Sequence, residues 1–539
     1  MLYILFMLIL LLPALAGIGV LVMKITRKKD FGISGKLLTG IVSTSVIWTV
    51  VAFLFPLNLT VELITLTIGI LSFFYFKVFD DFWAFFATQN RAFLLIAVLI
   101  VIAGSYFPFI LDHFGYYVPT IKWISEVGLV QGISNLDLLL GQMSFWHIFQ
   151  AGFSHFADPF LRINVLVLII FQIYIFEKKS WTLLAFIPFC FLFVQSPSPD
   201  LAAIAFSLMI LNEIFRCSLK VGFLFTFCMF IFALKPTVLW LPILVFLYGI
   251  FVLKASPKIF VPGFAILLLF CFKNIWTFGF PIFPVQVFDF GFAWTPNDEL
   301  LNNSSQMAIR KTFDLKYTYN QIQQFSLFDY IKNWFFLPGI KGVIHSFFIL
   351  SLLVLFIFAL RKKSKLIWLV FIAVSVKSIL VLLFSAQYRF FFEVFFVVAF
   401  LILNEMISKK TSLLVFTLGS IFFLVFLSFP NLVQKVIPSF RLGQFMIGFT
   451  KDQFYKPAYF ELHDFETHQI GNLNFNIVKN YPFSFDTPLP AISPQFIQED
   501  LDAGIFPQLK GKTLKEGFIW RKISAEEKIE LEKILNHQY

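Results

Sequence analysis

Leu111-Asp112-His113-Phe114-Gly115-Tyr116-Tyr117-Val118-Pro119-Thr120-Ile121-Lys122-Trp123-Ile124-Ser125-Glu126-Val127-Gly128 opens the stretch whose reading decides the fold. It interrupts a series of hydrophobic segments and continues as a polar loop to Asp158, carrying Asp112, His113, Glu126, His147, His155 and Asp158. Three of the seven histidines lie in it, so titratable side chains gather where the chain leaves an apolar environment. Gly128 and Gly132 punctuate the loop, and Trp123 and Trp146 are amphipathic residues suited to an interfacial helix.

The chain of 539 residues is 59% hydrophobic, with a mean hydropathy of +0.84. A water-soluble domain cannot hide that much apolar surface, so an integral membrane protein is expected. Hydrophobic segments near 2–23, 37–57, 59–78, 92–110, 161–177, 181–195, 200–215, 220–234, 237–253, 258–275, 342–360, 366–384, 390–407 and 411–430 predict about 14 transmembrane helices, several of them shorter than the ~20 residues a straight span needs. The expected fold is therefore an all-α polytopic bundle. Residues 1–23 contain Ala14-Leu15-Ala16, which looks like a cleavage site. No basic residue precedes it and Lys24, Arg27, Lys28 and Lys29 follow it, so a retained span is expected.

The net charge of +11 reads as topology rather than as nucleic-acid affinity. The basic residues form short runs between segments: Lys24 to Lys29, Lys178-Lys179, Arg361 to Lys365 and Lys409-Lys410. If Lys24 to Lys36 is cytoplasmic, alternation places those runs, together with Arg216 to Lys220 and Lys254 to Lys258, on the same side, as positive-inside bias requires. The opposite face then receives the loops 111–160 and 273–341, the turn before Asp200, Lys235-Pro236, and Gln387-Tyr388-Arg389. It also receives a polar tail, 431–539, whose Ser524-Ala525-Glu526-Glu527 predicts a capped final helix. The chain thus divides into a membrane module, 1–430, and a small extracytoplasmic C-terminal domain, 431–539. The four cysteines sit in or at the ends of apolar segments without metal-ligand spacing, so neither a disulfide nor a zinc site is predicted.

Asp112, at the outer end of the fourth segment, suits a general base whose pKa must move towards neutrality; a plain membrane-exit carboxylate is the alternative. His113 either assists it or is structural. Asp158 and Asp200 read as helix N-caps or, if they share a cavity with Asp112, as groups that bind a divalent cation or orient a sugar's hydroxyls. Lys235, Lys273 and Arg389, with Lys341 nearby, are cations on the face that the positive-inside bias leaves poor in them. A lipid-linked phosphate would account for them, as would snorkelling to headgroups. Lys377, within a span, calls for a carboxylate or the same phosphate as partner.

Taken together, these stretches resemble the polytopic GT-C-type glycosyltransferases, closest to uncharacterised bacterial members. The likeness covers roughly residues 90–410 and rests on three features. These are Asp112 with Tyr116-Tyr117 in the first large outer loop, Lys273-Asn274 leading to Gly279-Phe280-Pro281-Ile282-Phe283-Pro284, and Gln387-Tyr388-Arg389-Phe390 at a late span's end. Many members have paired acids where this chain has Asp112-His113, and arginine is commoner at the place of Lys273. The resemblance implies inverting transfer of a hexosyl or pentosyl group from a polyprenyl-phosphate donor to a lipid- or glycan-linked envelope acceptor. The reaction would occur on the outer face of a bacterial inner membrane. Asp112 would be the catalytic base, and His113, Tyr116, Tyr117, Asp158, Asp200, Lys235, Lys273, Asn274 and Arg389 would bind substrate, with no metal ligand among them. A glycan polymerase or ligase would use the same carrier. A transporter would instead place paired ionisable residues at the bilayer midplane, and a scaffolding subunit would need neither Asp112 nor Arg389.

Overall fold

In a computed structural model, residues 1–26, 32–436, 445–461 and 464–536 are described. Arg27, Lys28 and Lys29 of the first basic run lie outside the described residues. Helices dominate. Six are long and apolar enough to cross a membrane: Leu2–Ile25, Gly32–Leu54, Pro257–Phe278, Ile340–Lys362, Lys365–Phe384 and Lys409–Ser428. A seventh crossing is available if Leu59–Tyr75 and Val78–Ala87, bent by 75° at Phe76 and Lys77, act as one broken span. Other predicted segments form shorter helices, such as Ile163–Lys178, Pro199–Phe215 and Val221–Leu234, and these are almost wholly surrounded by protein. The 16 residues of Ile163–Lys178 reach about 24 Å at 1.5 Å per residue, short of the ~30 Å hydrocarbon layer. Burial inside the bundle satisfies their hydropathy as well as lipid would.

The N-terminal helices pack through small residues, which let backbones approach without a side chain between them. A Cβ on Gly19 would lie 1.8 Å from the Lys36 carbonyl oxygen, and one on Gly40 would lie 2.0 Å from that of Leu15. The basic runs meet at neighbouring helix ends. Arg216 donates to the Lys178 carbonyl at 3.1 Å, Lys409 lies 4.0 Å from the Trp181 ring, and Lys362 pairs with Glu405 at 2.6 Å.

The stretch 111–160 is not an open loop. It folds into a single-turn π-helix, His113–Tyr117, running into an α-helix, Val118–Glu126, then two tight turns and a helix, Phe145–Ala151. Trp123 and Trp146 are fully buried rather than interfacial. The Trp146 indole donates to Asn164 at 3.2 Å, and Trp123 meets Phe518 edge-on. Phe149 and Phe206 enclose Trp146 within the bundle; the tail covers the rest of this layer. Phe114 stacks on Phe445 at 3.8 Å, the Phe518 amide donates to the Gln131 carbonyl at 2.9 Å, and Lys515 donates to the carbonyls of Ala52 and Leu129.

The tail also departs from an all-α fold. It contains two antiparallel hairpins, Phe465–Ile470 with Leu473–Val478 and Ile505–Leu509 with Phe518–Lys522. Two helices accompany them, Pro494–Asp502 and Ala525–Asn536. The predicted cap of the last helix forms in full: the Glu527 amide donates to Ser524 Oγ, and the Ser524 amide donates to the Glu527 carboxylate.

Candidate functional site

Arg389 stands on a one-turn link, Tyr388–Phe390, between the helices Lys365–Phe384 and Phe392–Met406. The residues just before it are held from outside. The Ala386 amide donates to Thr312 Oγ1 at 3.2 Å, and the Ala386 carbonyl accepts from the Trp334 indole at 3.1 Å. From this fixed turn Arg389 extends its guanidinium to the Asp112 carboxylate, 3.5 Å away and 277 residues earlier in the chain. Asp112 sits at the start of the π-turn, a local widening of the helix that often marks functional positions. Its backbone is helical and its carboxylate caps no amide, so the side chain is free to turn towards Arg389.

Both partners are 47% exposed. Even so, desolvation by the surrounding protein raises the Asp112 pKa; Arg389 and Lys311 oppose the rise, and Asp200 adds to it. Lys311, from the helix Asp298–Thr312, is held below the usual lysine range by burial and by Arg389. Two cations thus flank one carboxylate at an open rim.

Below the rim the charges are closed in. Asp200, in the first turn of Pro199–Phe215, forms an ion pair with Lys235. Lys235 also lies 3.4 Å from Glu393, and Glu393 lies 3.2 Å from Lys377. Thr237 donates to Glu393 at 3.0 Å, and Lys377 donates to the Phe390 carbonyl. Lys377 and Glu393 are 2% and 4% exposed. The carboxylate partner that Lys377 demanded is therefore Glu393, four residues after Arg389. An ionisable residue at the start of an apolar helix was the sequence signal for it. Nothing in local sequence marked Lys311. Ser198 before Pro199 is a helix-start pattern, and its hydroxyl, not Asp200, caps Pro199–Phe215 by accepting from the Asp200 amide at 3.2 Å.

Tyr116 and Tyr117 join the cluster from the π-turn. Burial, with Asp112 and Asp200 next, pushes both phenols well above their ordinary pKa. The Tyr117 hydroxyl donates to Ser198 Oγ at 3.5 Å. The Tyr116 hydroxyl lies 3.4 Å from His147 Nδ1, and burial holds His147 neutral with a pKa near 3. His147 thus backs the two tyrosines from behind.

The remaining expected residues are engaged elsewhere. The His113 ring packs between Phe114 and Phe485, and burial and then Arg162 keep its pKa well below the ordinary value. Asp158 accepts from Gln150 at 3.1 Å, and burial lifts its carboxyl to about 7. Lys273 donates to the Met143 carbonyl at 2.7 Å, and Asn274 donates to that of Pro281 at 2.7 Å. Asn274 thus closes the turn after Pro257–Phe278, and Lys273 ties that helix to the 111–160 layer. Among the described residues, no three His, Cys, Asp or Glu side chains are placed to hold a metal ion. Asp158 in particular does not join Asp112 and Asp200, so the three acids do not share a cavity.

No curated protein and no solved structure matches the chain. A protein-family profile matches residues 1–396, a region that holds Asp112, Asp200, Lys235, Lys311, Lys377, Arg389 and Glu393 and stops before the tail. The chain belongs to the family described as Domain of unknown function (DUF8201).

Proposed function

We propose that this protein is a membrane glycosyltransferase that moves a sugar from a polyprenyl-phosphate donor to a cell-envelope acceptor. In this reading Asp112 takes the proton of the acceptor hydroxyl as the oxygen attacks the anomeric carbon, with inversion. Arg389 and Lys311 receive the negative charge that grows on the departing phosphate. The single observation that carries the reading is the open Asp112–Arg389 pair at 3.5 Å. An exposed pair of this kind adds only about 0–1 kcal/mol to folding. Its use is better explained by chemistry: a raised carboxyl suits a base, and a guanidinium offers bidentate contacts to phosphate.

The reading includes the finer topology: about 14 spans, several of them short, with the basic ends in the cytoplasm and the pair facing the exterior of a bacterial inner membrane. The test is transfer from radiolabelled polyprenyl-phosphate sugars by purified protein in liposomes. Asp112→Asn should abolish transfer while leaving the protein folded; full activity in that variant would refute the assignment.

One observation favours a second reading, a transporter of lipid or polysaccharide. The Lys377–Glu393 pair is buried, and Lys377 lies seven residues before the end of Lys365–Phe384, about 10 Å down the helix. Movement of a labelled lipid-linked sugar across vesicles without any transfer product would favour transport.

A further inference from the structure

The helix Leu327–Phe335 has three unlike sides. One is docked: the Trp334 indole donates to Ala386, and its ring stacks on His345 at 4.4 Å. A second is polar and carries Asp329, Lys332 and Asn333. The third is apolar and uncovered. Leu327 is 78% exposed, Phe328 72% and Ile331 54%, with Phe335 half-buried beside them. At 100° per residue these four positions fall on an arc of about 100°, so they form one continuous face. Ser326 and Asp329 cap the helix reciprocally, which fixes its start despite nine residues of length.

Connectivity sets the level at which this face lies. Phe336 to Gly339 lead directly into the span Ile340–Lys362, whose own Ile340, Val343 and Phe347 are exposed. The uncovered face therefore continues the lipid-facing surface of that span at its end. A short helix with an apolar arc and a charged arc is the form that settles at a membrane–water boundary.

We propose that Leu327–Phe335 lies in the headgroup layer of the leaflet next to the Asp112–Arg389 pair, with Leu327, Phe328, Ile331 and Phe335 among the acyl chains. Its Trp334 contact then holds Ala386, and with it the turn bearing Arg389, at the depth of lipid phosphates. The bilayer itself is the partner of this surface. The placement does not depend on the glycosyltransferase reading, but it gives that reading its route: a lipid-borne phosphate would reach Arg389 sideways, without leaving the membrane.

The test uses full-length protein in phosphatidylethanolamine–phosphatidylglycerol liposomes. Its four cysteines are replaced by alanine, and spin labels are attached after Phe328→Cys, Ile331→Cys, Lys332→Cys or Asn333→Cys. Labels at 328 and 331 should be several-fold more accessible to oxygen than to a water-soluble nickel reagent, and labels at 332 and 333 the reverse. Equal, water-like accessibility at all four would overturn the proposal. So would spin–spin broadening at 328 that grows with protein density, which would mean a second copy covers the face. A lipid-phase carbene needs no variant: on the unmodified chain it should label Phe328 as well as the span Ile340–Lys362. Labelling of the span alone would also refute the placement. An aqueous helix beside an Asp112-dependent transferase would sink this inference and leave the proposed function standing. A lipid-embedded helix beside a fully active Asp112→Asn variant would do the opposite.

Discussion

The molecule contains two ionic clusters of similar composition in opposite surroundings. At the rim, Asp112 and Arg389 meet at 3.5 Å with nearly half of each side chain open to solvent. Just beneath, Asp200, Lys235, Glu393 and Lys377 form a chain of pairs with no net charge, two acids against two lysines, buried at Glu393 and Lys377 and partly shielded at Asp200 and Lys235. Solvent screens the first and can be displaced from it by a ligand; the second has already satisfied itself. Buried pairs are hazardous to break because the surviving charge has no partner and no water. Open pairs are cheap to break and therefore available for chemistry. On this view the inner cluster fixes the outer one in place, since Lys377 donates to the Phe390 carbonyl and so holds the residue after Arg389.

Substitutions that hit one cluster and spare the other test this division. The largest effect is expected from Asp112→Asn, which should lower transfer about 10²- to 10⁴-fold, the range for loss of a general base. Its thermal midpoint in detergent should stay near that of the wild type. Next, Glu393→Ala should cost about 3–5 kcal/mol of stability by leaving the buried Lys377 without a carboxylate, while Lys235 keeps Asp200, read as a lowered denaturation midpoint. A Glu393 variant as stable as Asp112→Asn would erase the distinction. Arg389→Ala should reduce kcat about 10²- to 10³-fold, the scale of a lost charge-stabilising donor, with folding intact.

Smaller effects lie in pH dependence. Burial raises the Asp112 carboxyl above the usual range, and a base works only when ionised. Transfer should therefore rise with pH along a limb displaced upward from about 4. Arg389→Ala should move that limb further up, because the cation that favours the carboxylate is gone. Stability should run the other way at Asp137, which is buried and lifted to about 8. Its folded pKa exceeds its unfolded one, so the folded state holds an extra proton between about pH 4 and 8. The stability this contributes is full below that window and lost as the pH rises through it. Asp137→Asn should flatten the decline in pH-dependent denaturation curves.

The outer cluster was legible because an acid and an arginine stand at the ends of apolar segments that otherwise avoid ionisable groups. The inner one was half legible. Lys377 inside an apolar segment demanded a partner, but only tertiary packing brings Glu393 to it from the next helix. Lys273 and Asn274 stand at a segment end as Arg389 does, yet they bond to the carbonyls of Met143 and Pro281, and spacing alone cannot separate a cation that waits for a ligand from one that ties two elements together. Trp123 and Trp146 looked interfacial because nothing in their own stretch announces that Phe518 will cover the first and Phe206 the second. The number of crossings was the least legible, since the almost wholly buried Ile163–Lys178 and the lipid-length Ile340–Lys362 are both strongly apolar.

The central claim is that the open pair is built to receive a lipid-borne phosphate. The most direct measurement is the affinity of purified protein in nanodiscs for polyprenyl monophosphate, comparing wild type with Arg389→Ala and Asp112→Asn. The account predicts saturable binding to the wild type, weakening of tenfold or more in Arg389→Ala, and retained or tighter binding in Asp112→Asn, where a repelling carboxylate is gone. Equal affinity in all three proteins would contradict it.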